Sequence, residues 1–227
     1  MKRFLTAFLL LLSVAGSGAR AGEPFFCTQP GRTLYYERTR AEDGRLERTT
    51  TLNIVSVRTD EDAARRVDYG FVLRSPGGKD LYGGRVLLMV RIDADGSVCM
   101  NLGASLASVI AAKLPGAKPV SGGETSVLPA AMQPGDRLPE AHCTVDAGAL
   151  HYTIDVTERS VLRAERITTP AGTFDCLVVH EHKVERGPMR HRDTWSDSWY
   201  APGVGYVRHD TYDKNHRLDT TEILKKY

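Results

Sequence analysis

Arg-Ile-Thr-Thr-Pro-Ala-Gly-Thr-Phe-Asp-Cys (residues 166–176), Trp-Tyr-Ala-Pro-Gly-Val-Gly-Tyr-Val (199–207) and Tyr-Asp-Lys-Asn-His-Arg-Leu (212–218) together decide the fold. Each combines a β-branched or aromatic run with proline, glycine, aspartate or asparagine, the residues that turn a chain back on itself. Pro170 fixes the backbone ahead of a turn, Gly172 permits it, and Phe174-Asp175-Cys176 begins an alternating strand. These are strands and hairpin turns without reaction chemistry.

The same rhythm runs outward. Runs at 33–40 and 46–58 flank Glu42-Asp43-Gly44, which reads as a hairpin turn. Runs at 67–74 and 81–92 flank Ser75-Pro76-Gly77-Gly78, and Asp93-Ala94-Asp95-Gly96 turns the chain into 97–102. One segment departs from the two-residue period: Leu102, Leu106, Val109, Ile110 and Leu114 fall near helical spacing, and Pro115-Gly116 stops them, which predicts a helix over about 103–114. After a Pro/Gly-rich stretch at 114–138, strands are expected at 143–146, 149–157, 159–169, 173–186, 192–200, 205–212 and 217–224. The fold class is all-β, a large twisted antiparallel sheet of meandering hairpins with one short helix. A weak internal echo links 38–50 to 209–221, read as two copies of one hairpin type.

Lys2 and Arg3 precede an apolar run from Phe4 to Val14, and Ala19-Arg20-Ala21 supplies a small-x-small cleavage site, the pattern of an export signal over 1–21. The run is about 11 residues where a span needs roughly 20. No later run has spanning length. Cys27 lies too far downstream of the cleavage point for a lipid-anchored N-terminus. Residues 22–227 are expected to form a single all-β domain in the periplasm or outside the cell. Loss of Lys2, Arg3 and Arg20 reduces 30 basic residues to 27 against 28 acidic ones, a net charge of −1. Charge therefore gives no reason to expect nucleic acid. Cys27, Cys99, Cys143 and Cys176 enter an oxidising compartment, so up to two disulfides are expected, with three connectivities open; the alternative for Cys176 is a small buried hydrophobe.

At Thr-Thr-Pro-Ala-Gly-Thr-Phe-Asp-Cys, Trp-Tyr-Ala-Pro-Gly-Val-Gly and Tyr-Asp-Lys-Asn-x-x-Leu the chain resembles the TapB-type family of exported bacterial proteins. The likeness extends more loosely to Pro134-Gly135-Asp136-Arg137-Leu138-Pro139 and Pro30-Gly31-Arg32-Thr33-Leu34-Tyr35-Tyr36. The resemblance carries no activity. It implies an all-β exported protein, a curved sheet or half-open barrel by analogy with periplasmic lipoprotein carriers. His216 stands where that turn usually has glycine, which weakens the expectation of a positive-φ turn there.

Candidate chemistry is sparse. Trp195, Asp197 and Trp199 share one strand face, and an aspartate between two indoles is costly without an arginine or histidine partner or a wet pocket; this is the best ligand-site signal. His180 and His182 share a strand face and could give two nitrogens to zinc, with Glu181, His191 or His209 as a third ligand. That face also carries Phe174, Cys176, Val178 and Val184, which favours a partly exposed strand end instead. Gly103-Ala104-Ser105 imitates a nucleophile elbow but lacks the parallel sheet an elbow needs. Asp93-Ala94-Asp95-Gly96 opens like a calcium loop, yet Val98-Cys99-Met100 follow where oxygens are required. The expected function is a non-catalytic exported binding or interaction module without cofactor, its ligand an apolar small molecule or its partner an envelope protein. The alternatives are a metal-dependent or serine hydrolase using His180 and His182 or Ser105, and a purely structural envelope protein.

Overall fold

A computed structural model describes residues 22–114, 116–188 and 190–227. The expected export signal at 1–21 lies outside the described residues. Among them, thirteen strands and one helix follow in the order β1 (Thr33–Arg40), β2 (Leu46–Thr59), β3 (Arg65–Arg74), β4 (Val86–Ile92), β5 (Val98–Met100), α1 (Leu102–Lys113), β6 (Val120–Gly123), β7 (Ser126–Leu128), β8 (Ala141–Ala147), β9 (Leu150–Thr169), β10 (Gly172–Gly187), β11 (Arg190–Ala201), β12 (Gly205–Asp213) and β13 (Leu218–Lys226). No helix among them is long and apolar enough to cross a membrane.

All thirteen strands form one open antiparallel sheet in the order β6-β8-β9-β10-β11-β12-β13-β1-β2-β3-β4-β5-β7. Two features of that order matter. The first and last strands of the chain, β1 and β13, pair with each other in the middle of the sheet. The sheet's two edges, β6 and β7, are only two residues apart in the chain, Glu124 and Thr125. Three peptide steps of about 3.8 Å span at most ~11 Å, so the sheet must curl until its edges approach each other. The repeated segments 38–50 and 209–221 fall in the hairpins β1–β2 and β12–β13, which are neighbours across the β1–β13 pairing.

Arg159 reinforces this curl. From β9 its Nη1 donates to the carbonyls of Val127, on edge strand β7, at 3.1 Å and of Pro139 at 2.6 Å, while Nε lies 3.4 Å from Glu181 Oε2. One buried guanidinium thus ties β7 to β9 from the opposite half of the sheet. The principal core gathers Phe25, Leu34, Tyr36, Leu128, Leu138, Val178, Trp199 and Leu224. Tyr36 on β1 stacks on Tyr206 on β12, with ring centroids 4.7 Å apart.

α1 lies against β4, β6 and β8, bridging strands from both halves of the sheet. Asn101 caps its start, accepting from Ala104 N at 2.7 Å. Gly103 lets the helix approach closely, because a Cβ there would stand 3.1 Å from Ser121 Cβ on β6. The face buried against the sheet is Gly103, Ala107 and Ile110.

The structure departs from the sequence reading in several places. β4 begins at Val86 instead of 81, because Gly83 and Gly84 take φ of 74° and 134°. β9 is continuous where two strands were expected: Glu158, at φ 51°, belongs to a bulge in which residues 158 and 159 oppose Glu181 alone. β6 and β7 arise inside the stretch expected to be irregular. His216 does adopt positive φ, at 59°, despite having a side chain. The expected disulfides are absent. All four cysteines are free thiols, and three satisfy their sulfur locally: Cys99 on Asp93, Cys143 on the Glu124 carbonyl and Cys176 on the Phe174 carbonyl. Burial pushes the Cys99 thiol pKa up to about 11 and that of Cys176 to about 12, which leaves them protonated and inert.

Leu224 is fully buried on β13 at the central β1–β13 junction. Leu224→Ala should lower unfolding free energy by about 2–5 kcal/mol, measured by denaturant titration. A change below about 1 kcal/mol would contradict the central place given to that pairing.

Candidate functional site

The five residues singled out from sequence, His180, His182, Trp195, Asp197 and Trp199, do share one face. The β10–β11 register sets His180 opposite Asp197, His182 opposite Trp195 and Val178 opposite Trp199. Asp197 has the partners its position demands. His180 Nδ1 lies 2.7 Å from its Oδ1, and the Tyr212 hydroxyl donates to Oδ2 at 3.3 Å. His182 Nε2 lies 2.7 Å from Asp193 Oδ1. The Trp195 ring packs against His182, with centroids 4.2 Å apart, and against His216 from the β12–β13 turn at 4.6 Å. Trp199 is buried, donates Nε1 to Glu165 Oε2 at 3.1 Å, and has the Arg208 guanidinium 4.6 Å from its ring centre. Each imidazole is turned onto its own carboxylate and the rings are stacked on neighbours, so the cluster is an interlocked polar layer.

Two of the proposed third zinc ligands, Glu181 and His209, do not join it. Residues 181 and 209 belong to the opposite face, and His209 Nδ1 is 2.7 Å from Ser198 Oγ. Among the described residues no group of three or more His, Cys, Asp or Glu is placed to hold a metal ion. Ser105 Oγ donates to the Asn101 carbonyl at 3.0 Å, as a first-turn helix serine does. Asp93 accepts from Arg91 and from the Cys99 thiol, and the backbone from Asp93 to Ser97 closes a turn.

A second site, which sequence reasoning missed, lies on the helix side of the sheet. Beneath α1 is a cavity of about 250 Å³ whose apolar wall includes Phe71, Leu88, Leu102, Leu106, Val109 and Ile154. Leu102, Leu106 and Val109 are the large residues of the helical stripe. The helix buries Gly103, Ala107 and Ile110 against the sheet, while Leu102, Leu106 and Val109 are half-buried at the cavity, Leu102 and Leu106 also packing on the cluster of Cys143, Ile154 and Val156. This cavity runs into another of about 350 Å³, the two sharing Phe71, Tyr82, Lys183 and Glu185. The second cavity is lined by charge: Arg38 from β1, Arg48 from β2, Lys183 and Glu185 from β10, Arg192 from β11 and Glu222 from β13. Beyond Tyr200 and Tyr206 lies an apolar cavity of about 170 Å³ walled by Phe25, Phe26, Tyr69 and Met100.

The charged cavity is organised. Glu222, buried, accepts from Thr50 Oγ1 at 2.9 Å and from the Tyr206 hydroxyl at 3.4 Å, and lies 3.7 Å from Arg48. Arg38, also buried, pairs with Glu47 at 3.0 Å and donates to Thr211 Oγ1 at 3.3 Å. Lys183 pairs with Glu185 at 3.2 Å. Burial, then the positive charges of Arg38, Lys183 and Arg48, push the His209 pKa down to about 3. The signal for this site was present in each strand: Arg38 alternates in phase with Leu34 and Tyr36, and Glu222 with Leu224.

Two predictions follow from these geometries. His209 is neutral when folded but titrates near 6.5 when unfolded, so its stabilising contribution is complete above about pH 6.5 and is lost as pH falls toward 3. His209→Gln should therefore gain stability relative to the parent protein between pH 7.5 and 4.5 in thermal melts; parallel curves would refute this. Asp197→Ala strands His180 and Tyr212 and should cost about 1–3 kcal/mol by denaturant titration; an effect below about 0.5 kcal/mol would show that those contacts are not maintained.

Known structures share this architecture. A candidate exported protein with a YmcC-like fold from Bacteroides fragilis aligns with a TM-score of 0.70 at 21% identity, covering 90% of this chain and 98% of the other. A candidate lipoprotein from Parabacteroides distasonis aligns at 0.72 and 21% identity, covering 91% and 99%. At that identity the likeness is one of fold. Comparison with curated proteins gives no match. A family model described as DUF3108-like matches residues 29–224, from just before β1 to near the end of β13. The chain belongs to the DUF3108-like family.

Proposed function

We propose that this protein is an extracytoplasmic, non-catalytic binding module that holds a small molecule in the cavity between α1 and the curled sheet. The observation that carries this reading is the orientation of α1. Leu102, Leu106 and Val109 line a cavity and stay half-buried, while Gly103, Ala107 and Ile110 are buried against the sheet. Apolar side chains facing a void forgo the dispersion contacts of a packed interior, and a ligand with an apolar part would restore them. The joined cavities under the helix fall in the range typical of small-molecule sites, roughly 300–1,000 Å³.

The extracytoplasmic location rests on the export-signal pattern of residues 1–21, on the resemblance to TapB-type exported proteins, and on the candidate exported protein and lipoprotein among the similar structures. A hydrolase finds less support. Ser105 is engaged by its own helix, and His180 and His182 are each committed to a different aspartate. His180, His182, Trp195, Asp197 and Trp199 serve in this reading as the rigid wall behind the lumen. The envelope-protein reading has one observation in its favour, the exposure of Val55, Leu87 and Met89 beside the helix N-terminus.

Val109→Trp would place an indole in the cavity without touching the buried face of α1. Binding of a neutral dye such as N-phenylnaphthylamine, followed by fluorescence, should weaken at least tenfold with the melting temperature retained. Unchanged affinity in a folded variant, or no dye binding by the parent protein, would overturn the reading.

A further inference from the structure

We propose that the ligand is an amphiphile with an anionic head, its tail under α1 and its carboxylate or phosphate received by Arg38, Arg48, Lys183 and Arg192. This rests on the binding reading above and adds to it the chemical class of the ligand. The four cationic side chains come from four different strands, β1, β2, β10 and β11, yet converge on one cavity. Against them the same cavity holds three carboxylates, Glu181, Glu185 and Glu222, which leaves one positive charge in excess for an anion to neutralise. Arg38 registers its neighbours: burial first, and then the guanidinium of Arg48, lower its pKa, Glu222 and Glu47 oppose this in part, and Arg192 lowers it again.

The three carboxylates are already engaged within the protein. Glu222 is held by Thr50, Tyr206 and Arg48, Glu181 faces Arg159, and Glu185 pairs with Lys183. Arg38 Nε is paired with Glu47 Oε2 at 3.0 Å, whereas the buried Nε of Arg48 donates no hydrogen bond. Buried donors without acceptors are rare in native structures and call for a partner. A carboxylate or phosphate suits the planar fork of arginine better than any neutral head, since it can accept two parallel hydrogen bonds. Position agrees with chemistry. Lys183 and Glu185 line both the charged cavity and the apolar one under α1, so a head at the arginines leaves its tail against Leu106 and Val109.

The test is displacement of N-phenylnaphthylamine from the parent protein by three ligands of equal chain length: an alkyl carboxylate, an alkyl phosphate and the neutral methyl ester. At least one anion should displace the dye about tenfold more effectively than the ester, and the better one identifies the head. Arg48→Gln combined with Arg192→Gln should erase that advantage while dye affinity stays within about twofold. Arg192→Gln alone, at an exposed position where folding is not at risk, should reduce it severalfold. Dye binding with no preference for the anions would overturn the head-group assignment and leave the binding reading intact. A preference that survives in the double variant would also overturn it. Absence of dye binding would overturn both.

Discussion

Everything distinctive about this molecule depends on a tether. The strands at opposite edges of the sheet, β6 and β7, are joined through Glu124 and Thr125 alone. A flat sheet of thirteen strands at about 4.8 Å spacing would separate its edges by more than 50 Å. The linker permits about 11 Å at most, so the sheet must curl through most of a turn. The right-handed twist of antiparallel strands supplies the curvature, the bulge at Glu158 and those along β1, β2, β11 and β12 sharpen it, and Arg159 fastens the far edge to β9. The hydrogen-bond ladder does not close across the two edge strands. The result is a lumen with a gap, and α1, which sits in the chain between β5 and β6, packs on both halves of the sheet.

That lumen is not filled as a core is filled. Toward Phe25, Leu34 and Leu128 it is apolar around a cavity of about 170 Å³, and toward α1 it becomes a cavity with an apolar roof and a charged floor. Burying Arg38 and Glu222 carries a desolvation cost that a hydrophobic pair of equal volume would avoid. Burial, and then the charges of Arg38, Lys183 and Arg48, keep His209 neutral. A protein selected for stability alone has little use for such an arrangement, whereas a site that must discriminate one end of a ligand from the other requires it.

How much of this is legible in the sequence follows from physical range. Hairpins such as Thr169-Pro170-Ala171-Gly172 and Asp213-Lys214-Asn215-His216 are local events, encoded in residues that touch, and they are readable. The pairing of Asp197 with a histidine was deducible because the cost of a lone buried carboxylate is independent of topology. Edge strands β6 and β7 were not readable: they are four and three residues long, β6 carries Gly122 and Gly123, and they are strands only because β8 and β5 respectively offer them a partner. The break assigned between 157 and 159 failed for a related reason, since a bulge and a turn both want an odd residue and only the pairing of β10 decides between them. The disulfide expectation came from compartment and cysteine number; in the fold Cys99, Cys143 and Cys176 lie on different strands, each with a local acceptor. The charged floor needed five strands to be brought together, and the helical stripe divides, Ile110 buried against the sheet and Leu102, Leu106 and Val109 half-buried along the cavity.

The central claim is that the curled sheet encloses a site that is occupied by a small anionic amphiphile in the cell. Native mass spectrometry of the protein, purified from its own host without detergent, tests it most directly. The account predicts a discrete mass increment, lost on denaturation and recovered in the organic extract as an acid or phosphate with an alkyl chain. The bare chain mass, unchanged after incubation with alkyl carboxylates and alkyl phosphates, would contradict it.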